Sequence, residues 1–559
     1  MRPAPLLLLL ALTSCVASAW QDLEEHLTDA PPSTSSSSTP DPTTSDATPT
    51  DPVATVTGPP PETTLPPETT SSDTTTTSEP NAPPEIDSFL ADPPHLSEAG
   101  VSLLRLTVSP DATTVHLRLN GQPLADLTPT DFPYPFEALS AKDNTITDHI
   151  FEVEVADAEG LTVSEITKLS IELPPSGAQK CLFIDATAKQ SAMAALAYTA
   201  DALVAVGTRD TGAGFRMAIW KFDPDYCEQP LPGWPKTIAD WTADPALAAL
   251  PSRAAAVAVD VHGNIALGAN LIVGGKPQRY TALLTPSGTR LWERAGLVGE
   301  EVSSVVVTPE PSSIVIAAGW KFTNDNPAST DAMIWRHLPD KTVWATTLKA
   351  PFTPDEQPDN KNEQSERIRA ALFDPASGAL VIAGERELQV GIFQLFSRTF
   401  AARFAPLGGA IGDPWTSSGD AFPHDAANSI AICDDVFILG GWTREHTPQA
   451  QPQPLLRWLA NDVSWTKRSA ESMSVTRAFG AACDREGKVV SAGLRASGEL
   501  DARVFAFEDP LGPRTWYETG NPGDDGAGGL ACDMRGFCGW PGFRTIDGKQ
   551  LAVVRVHHP

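Results

Sequence analysis

The sequence predicts an all-β protein in which a small β-sandwich precedes a seven-bladed β-propeller, with a signal peptide and a disordered stalk in front of both. Three observations carry this reading. From about residue 86 onward, short apolar segments alternate with period two between turn residues, the pattern of half-buried strands. Through the last 384 residues a unit recurs: an apolar strand, a polar turn, a second apolar strand ending in glycine, then a third alternating run. Ahead of both, residues 31 to 79 hold 25 Ser or Thr and 11 Pro, too little apolar surface to offset the entropy of folding.

Length and charge bound the rest. A chain of 559 residues exceeds one ordinary core, so several modules are expected. Its formal charge of -30 argues against nucleic acid, which requires a basic footprint. No apolar run reaches the roughly 20 residues of a membrane span, so membrane attachment needs another route.

Residues 1–14 read as an export signal, with Arg2 as a positive n-region and Leu6 to Leu12 as a short h-region. Leu12-Thr13-Ser14-Cys15 resembles the lipobox of bacterial lipoproteins. That resemblance implies lipidation of Cys15, which becomes the first mature residue and anchors the chain in the membrane through more than one acyl chain. A conventional signal peptide cut near Ala17 or Ala19 is the alternative. Residues 15–85 form the acidic Ser/Thr/Pro-rich stalk, without Lys or Arg from Val16 to Glu85. It spans roughly 45 to 50 Å as a coil and at most about 220 Å as extended polyproline II.

Residues 86–175 contain segments such as Leu103 to Val108 and Val115 to Leu119, where polar and apolar side chains alternate. Asn120-Gly121 signals a hairpin, because a type I′ turn needs positive φ at both central positions. Asp157-Ala158-Glu159-Gly160 marks another turn. About seven strands in such a length suggest a sandwich. The Pro-rich entry and the D-A-E-G turn resemble bacterial immunoglobulin-like or cadherin-like modules, although the Cys and Trp of antibody domains are missing. A rigid spacer is the expected role.

Residues 176–559 carry the repeats. Their strand-ending glycines are Gly207, Gly268, Gly319, Gly384, Gly441, Gly493 and Gly539, spaced 46 to 65 residues apart. Such spacing fits propeller blades with variable loops. An aromatic residue closes most units: Trp234, Trp292, Trp344, Phe404, Trp465 and Trp516. Because the seventh unit stops before a fourth strand, Lys180 to Ile184 is predicted to supply it and close the ring, removing two exposed edges. The strand order resembles propeller repeats of myxobacterial secreted proteins. Thr285-Pro286-Ser287-Gly288-Thr289-Arg290-Leu291-Trp292 is similar to the tryptophan-docking turn of quinoprotein-type propellers, including an outer-membrane assembly lipoprotein. That similarity implies packing between blades, not possession of a quinone cofactor, and no cofactor is expected.

The search for chemistry yields no catalytic or metal constellation. Asp210-Thr211-Gly212 matches half of an aspartic protease dyad, but a single triplet cannot share a proton between two carboxylates. His424-Asp425 lacks a nucleophile elbow. Asn324, Asp325, Asn326 and Asp331 offer oxygens for calcium, and a solvated acidic loop explains them as well. His557-His558 reads as an exposed tail. Cys532 and Cys538 flank a turn and are candidates for a disulfide, with Cys181 to Cys227 a second candidate. Cys433 and Cys483 occupy comparable positions in consecutive repeats, too far apart to bond, and are expected as buried thiols.

Three long insertions, Gln229 to Ser252, Pro351 to Glu366 and Pro406 to Asn428, precede repeats and should gather at one end of the channel. That face is the expected binding surface, with Trp241 and Trp415 as aromatic anchors among Asp355, Asp359, Asp413 and Asp420. The competing reading is that both tryptophans pin their loops to the blades. The functional expectation is a non-enzymatic binding, adhesion or scaffold protein, exported and lipid-anchored at the outer membrane or surface of a Gram-negative bacterium, with an envelope protein or glycan as partner. Alternatives are an extracytoplasmic propeller enzyme, a hydrolase or lyase, or an outer-membrane assembly factor.

Overall fold

The computed structural model describes residues 82–559 apart from 139–146, 309–313, 349–364, 417–423, 445–452, 469–475, 484–488, 519–524 and stretches of one to three residues. The signal, Cys15 and almost all of the stalk lie outside the described residues. The described part is almost entirely β.

Residues 86–171 build two facing sheets. Ile86–Asp92, Gly100–Val108 and Tyr134–Ala138 form one, and His95–Leu96, Thr162–Ile171, Thr147–Asp157, Ala112–Leu119 and Gln122–Leu127 form the other. Alternation puts Phe89, Leu104, Val115, Leu117, Phe151, Val153 and Leu169 between the sheets, each almost fully buried. Asn120 and Gly121 both adopt positive φ, 52° and 77°, as the turn requires, and Asn120 Oδ1 accepts the Ile150 amide at 2.9 Å.

The remainder is a ring of antiparallel sheets with propeller character. Gln190–Tyr198, Leu203–Asp210, Phe215–Phe222 and Lys236–Thr237 make the first sheet; Ser252–Val259, Ile265–Val273, Lys276–Leu284 and Arg290–Val298 the second; Glu300–Val307, Val315–Thr323, Asn326–His337 and Thr342–Leu348 the third. An eight-stranded sheet follows, composed of two antiparallel units joined through a single Ser397 to His424 bridge. Thr476–Cys483 to Gly512–Glu518 form the next. In the last, Lys549–His557 pairs with Gln179–Ile184, Val554 opposite Phe183, so the predicted closing strand joins the two ends of the ring. Second strands are buried on both faces, which explains apolar runs such as Ile265 to Leu271.

Glycines in the second strands have a cause in register. Inner strands are bulged, between Met193 and Ala195, Val302 and Ser304, Ile368 and Ala370, and Ala427 and Ser429. Opposite each bulge stands Gly207, Gly319, Gly384 or Gly441, where a Cβ would coincide with the carbonyl oxygen of Ala192, Glu301, Arg367 or Ala426. Two predicted equivalences are corrected by the pairing. Ala269, not Gly268, faces Ala254 at the bulge of the second sheet, and Gly542, not Gly539, faces Ala527 in the last. Gly268 instead leaves room for Val302 of the next sheet.

Thr285 to Trp292 docks sheet against sheet. Lys221 and Lys236 of the first sheet donate to the carbonyls of Pro286 and Ser287 at 2.9 and 2.6 Å. Trp292 packs with Val305 and Val315 of the third sheet. The sandwich docks beside the closing strand, where Lys180 Nζ lies 2.8 Å from Glu98 and 2.9 Å from Asp225.

The terminal His557 and His558 are a correction: both are buried, at 1% and 7% exposure. Trp540 Nε1 donates to His557 Nε2 at 3.1 Å, and His557 Nδ1 lies 3.0 Å from the Gly177 carbonyl. The chain end lies against the closing strand, so the imidazoles are enclosed where a free tail would be solvated. Cys433 and Cys483 are a second correction. Their Cα atoms are 5.8 Å apart and the pair is bonded, because first strands of neighbouring sheets run side by side around the axis.

Candidate functional site

The first strands enclose an axial channel of about 870 Å³. Its two sides differ in chemistry. The sheets beginning at Gln190 and Asp525 contribute Ala192 to Ala195 and Gly526 to Leu530, whose side chains are small or apolar. The second to fourth sheets contribute Arg253, Glu301, Trp320, Phe322, Arg367 and Arg369. Arg253, Glu301 and Arg367 each stand one residue before the bulge of their strand, so one register position supplies charged side chains from three sheets.

Ion pairs hold this wall. Arg253 Nη2 lies 2.6 Å from Glu301 Oε1. Glu385 Oε1 is shared by Arg367 and Arg369. Burial pushes the Glu385 carboxyl up, but the guanidiniums of Arg369 and Arg367 outweigh it and hold the group below its ordinary value. The Arg369 guanidinium sits 4.9 Å from the centre of the Trp320 ring, a cation–π contact that fixes its plane. Asn270 completes the wall: its side-chain amide donates to the Val302 carbonyl at 2.9 Å and accepts the Val302 amide at 2.8 Å, tying the second sheet to the third.

Trp241 does not present an anchor. It closes the short helix Ile238–Trp241, is 6% exposed, and its Nε1 donates to Tyr280 Oη at 3.0 Å. Tyr280 donates in turn to Glu293 Oε2 at 2.7 Å, and burial, followed by that carboxylate, raises the phenol. The insertion is therefore pinned to the second sheet by a satisfied polar chain, as the competing reading had it, because an indole with an apolar body and one donor is most stable enclosed with a partner. Trp415 is half-buried in the short strand Trp415–Thr416 beside Ala401 and packs against the cluster containing Ala383 and Leu439. Asp355, Asp359, Asp413 and Asp420 lie outside the described residues, as does Cys15. The Cys532 to Cys538 and Cys181 to Cys227 disulfides are present, with Cα separations of 4.0 and 5.6 Å.

The weaker motifs have structural roles. Asp210 Oδ1 accepts the amides of Gly212 and Gly214 at 2.7 and 3.1 Å, so this carboxylate is engaged by the backbone of its own loop. Asp425 is buried and accepts the Thr399 amide at 2.8 Å. Asp331 lies inside the strand Asn326–His337, Asn324 and Asp325 lie outside the described residues, and no metal-ligand cluster occurs among the described residues.

Sequence reasoning missed Arg253, Glu301, Trp320, Arg367 and Arg369. A signal existed: Ser252-Arg253, Glu300-Glu301 and Glu366-Arg367 place charge at the entry of otherwise apolar inner strands. The insertions Gln229 to Ser252 and Pro351 to Glu366 end at two of these entries, whereas Pro406 to Asn428 leads into the strand His424–Cys433.

Comparison with protein-family models and with curated proteins gives no match. Among solved structures, the chain is similar to the β-propeller domain of the Trilobed protease from Pyrococcus furiosus, at 10% identity and a TM-score of 0.38, covering 66% of this chain and 98% of that one. It is also similar to a protein of unknown function from Dyadobacter fermentans, at 9% identity and a TM-score of 0.38, covering 68% and 98%. At these TM-scores, the fold described above rests on the strand pairing of this chain itself.

Proposed function

We propose that this chain is a lipid-anchored, surface-displayed binding or scaffold protein: an anchor at Cys15, an acidic stalk, an immunoglobulin-like spacer and a seven-bladed propeller head. The reading is supported by one observation, the pairing of carboxylates with the arginines that line the axial channel. Glu301 and Glu385 are tied to arginines. Glu385, whose carboxyl the two guanidiniums hold below its ordinary value, is poorly suited to deliver a proton at neutral pH, and an ion-paired wall is well suited to fix a recognition surface. The acidic stalk carries the head away from the lipid.

An extracytoplasmic enzyme is the second reading, favoured by the convergence of four charged side chains and Asn270 on one channel. Intact mass of the purified protein, combined with protease shaving of whole cells, tests anchor and display together. An acylated Cys15 terminus and a head released from intact cells are expected. An unmodified chain, or a head protected from protease, overturns the proposal.

A further inference from the structure

We propose that the axial channel binds a small oxyanion carried on an apolar body; this rests on the reading of the ring as a binding head and names its ligand class. Among the described residues, the charged side chains lining the channel are Arg253, Arg367 and Arg369 against Glu301, a positive site inside a chain whose formal charge is -30. A cleft of one sign with low-dielectric walls focuses the field and concentrates the opposite ion. Outside the lining, Glu385 serves two guanidiniums with one carboxylate oxygen, Arg369 through Nε and Nη2 and Arg367 through Nη1, so that pairing leaves an excess of positive charge on this wall.

Guanidinium fixes the ligand's head. A guanidinium donates to carboxylate or phosphate oxygens in its own plane, and Arg369, whose Nε and Nη2 are held by Glu385 with Trp320 4.9 Å away, is already oriented, so its remaining N–H groups meet an anion with little side-chain entropy lost. The opposite wall fixes the ligand's body. Ala192 to Ala195 and Gly526 to Leu530 offer an alkyl group a surface without side-chain polar atoms. A volume of about 870 Å³ suits a small molecule.

Calorimetric titration of the full chain with hexanoate, hexyl phosphate, 1-hexanol and hexylammonium tests this. At least one anion should bind about tenfold or more tightly than the alcohol and the cation, the discrimination of a charged hydrogen bond; which anion wins identifies carboxylate or phosphate as the head. Arg253→Gln and Arg369→Gln should each weaken that anion by about tenfold, read on variants shown to be folded by circular dichroism. Should either variant fail to fold, the wild-type selectivity decides alone. Equal binding of hexanol or hexylammonium, no binding of either anion, or full affinity in both folded variants overturns the proposal. Absence of anion binding while shaving still releases the head removes the ligand class and leaves the display reading standing. Selective anion binding without a displayed head does the reverse.

Discussion

Acid should loosen the ring at its closure, and His557 is the group that makes this measurable. Its imidazole is enclosed at the chain end, where burial lowers its pKa, against the Gly177 carbonyl that raises it, while Arg555 and His558 lower it further, to about 4. The unfolded value is near 6.5. Between these values the unfolded chain binds the proton and the native chain does not, so stability present above pH 6.5 is lost as pH falls toward 4. At about 1.4 kcal/mol per pKa unit, the loss by pH 5 is about 2 kcal/mol from this one group. Urea unfolding at pH 7.5 and pH 5 should show a loss of at least that size as a lower midpoint. His557→Gln keeps a donor and an acceptor without the titration, so its own loss between the two pH values should be smaller by about 2 kcal/mol. An identical pH dependence in wild type and His557→Gln would refute the reasoning. His337, enclosed beside Arg279 and lowered to about 3 by burial and that charge, adds a loss of the same sign, present in both proteins and cancelling in the comparison.

Three further outcomes are expected. Gly207→Ala should destabilise by about 2 kcal/mol or more, since its Cβ has no space beside the Ala192 carbonyl, while Gly100→Ala, whose Cβ meets only Glu98 O at 3.8 Å, should be near neutral in the same denaturation assay. Removing the Cys181 to Cys227 bridge, which links the closing strand to the loop after Phe215–Phe222 across a separation of 46 residues, should cost up to about 4 kcal/mol and raise amide exchange in Gln179–Ile184 and Lys549–His557 ahead of other strands. Trp241→Ala should cost about 3 to 5 kcal/mol and leave anion affinity in the channel unchanged; an unaltered melting temperature would mean the side chain is not enclosed.

Much of the fold was legible in local chemistry. Alternation with period two is imposed by the pleat, so strands could be placed from residues 86 to 557 without knowing their partners. Asn120-Gly121 announced its turn because few residues tolerate positive φ. The closing strand could be found because Lys180 to Ile184 reads as a strand with no neighbour in its own repeat, and an unpaired edge must be covered. Gly207, Gly319, Gly384 and Gly441 marked equivalent positions because a bulge carbonyl occupies the space of a side chain.

Properties that depend on distances across the ring were decided only by the tertiary structure. Strand pattern says nothing of where a bulge falls, so the equivalents of those glycines in the second and last sheets became Ala269 and Gly542. Residues 50 apart met at Cys433 and Cys483, since a closed ring sets first strands side by side at a separation that chain length does not encode. Trp241 has the same composition signal whether it anchors a ligand or a loop, and burial against Tyr280 assigned it to the loop. Arg253, Glu301 and Arg367 are spread over more than one hundred residues and became one wall because ring closure turns a shared register position into a shared surface. A single chain composition therefore determined strands and turns through near-neighbour sterics, whereas the channel and its charge arose from packing between sheets.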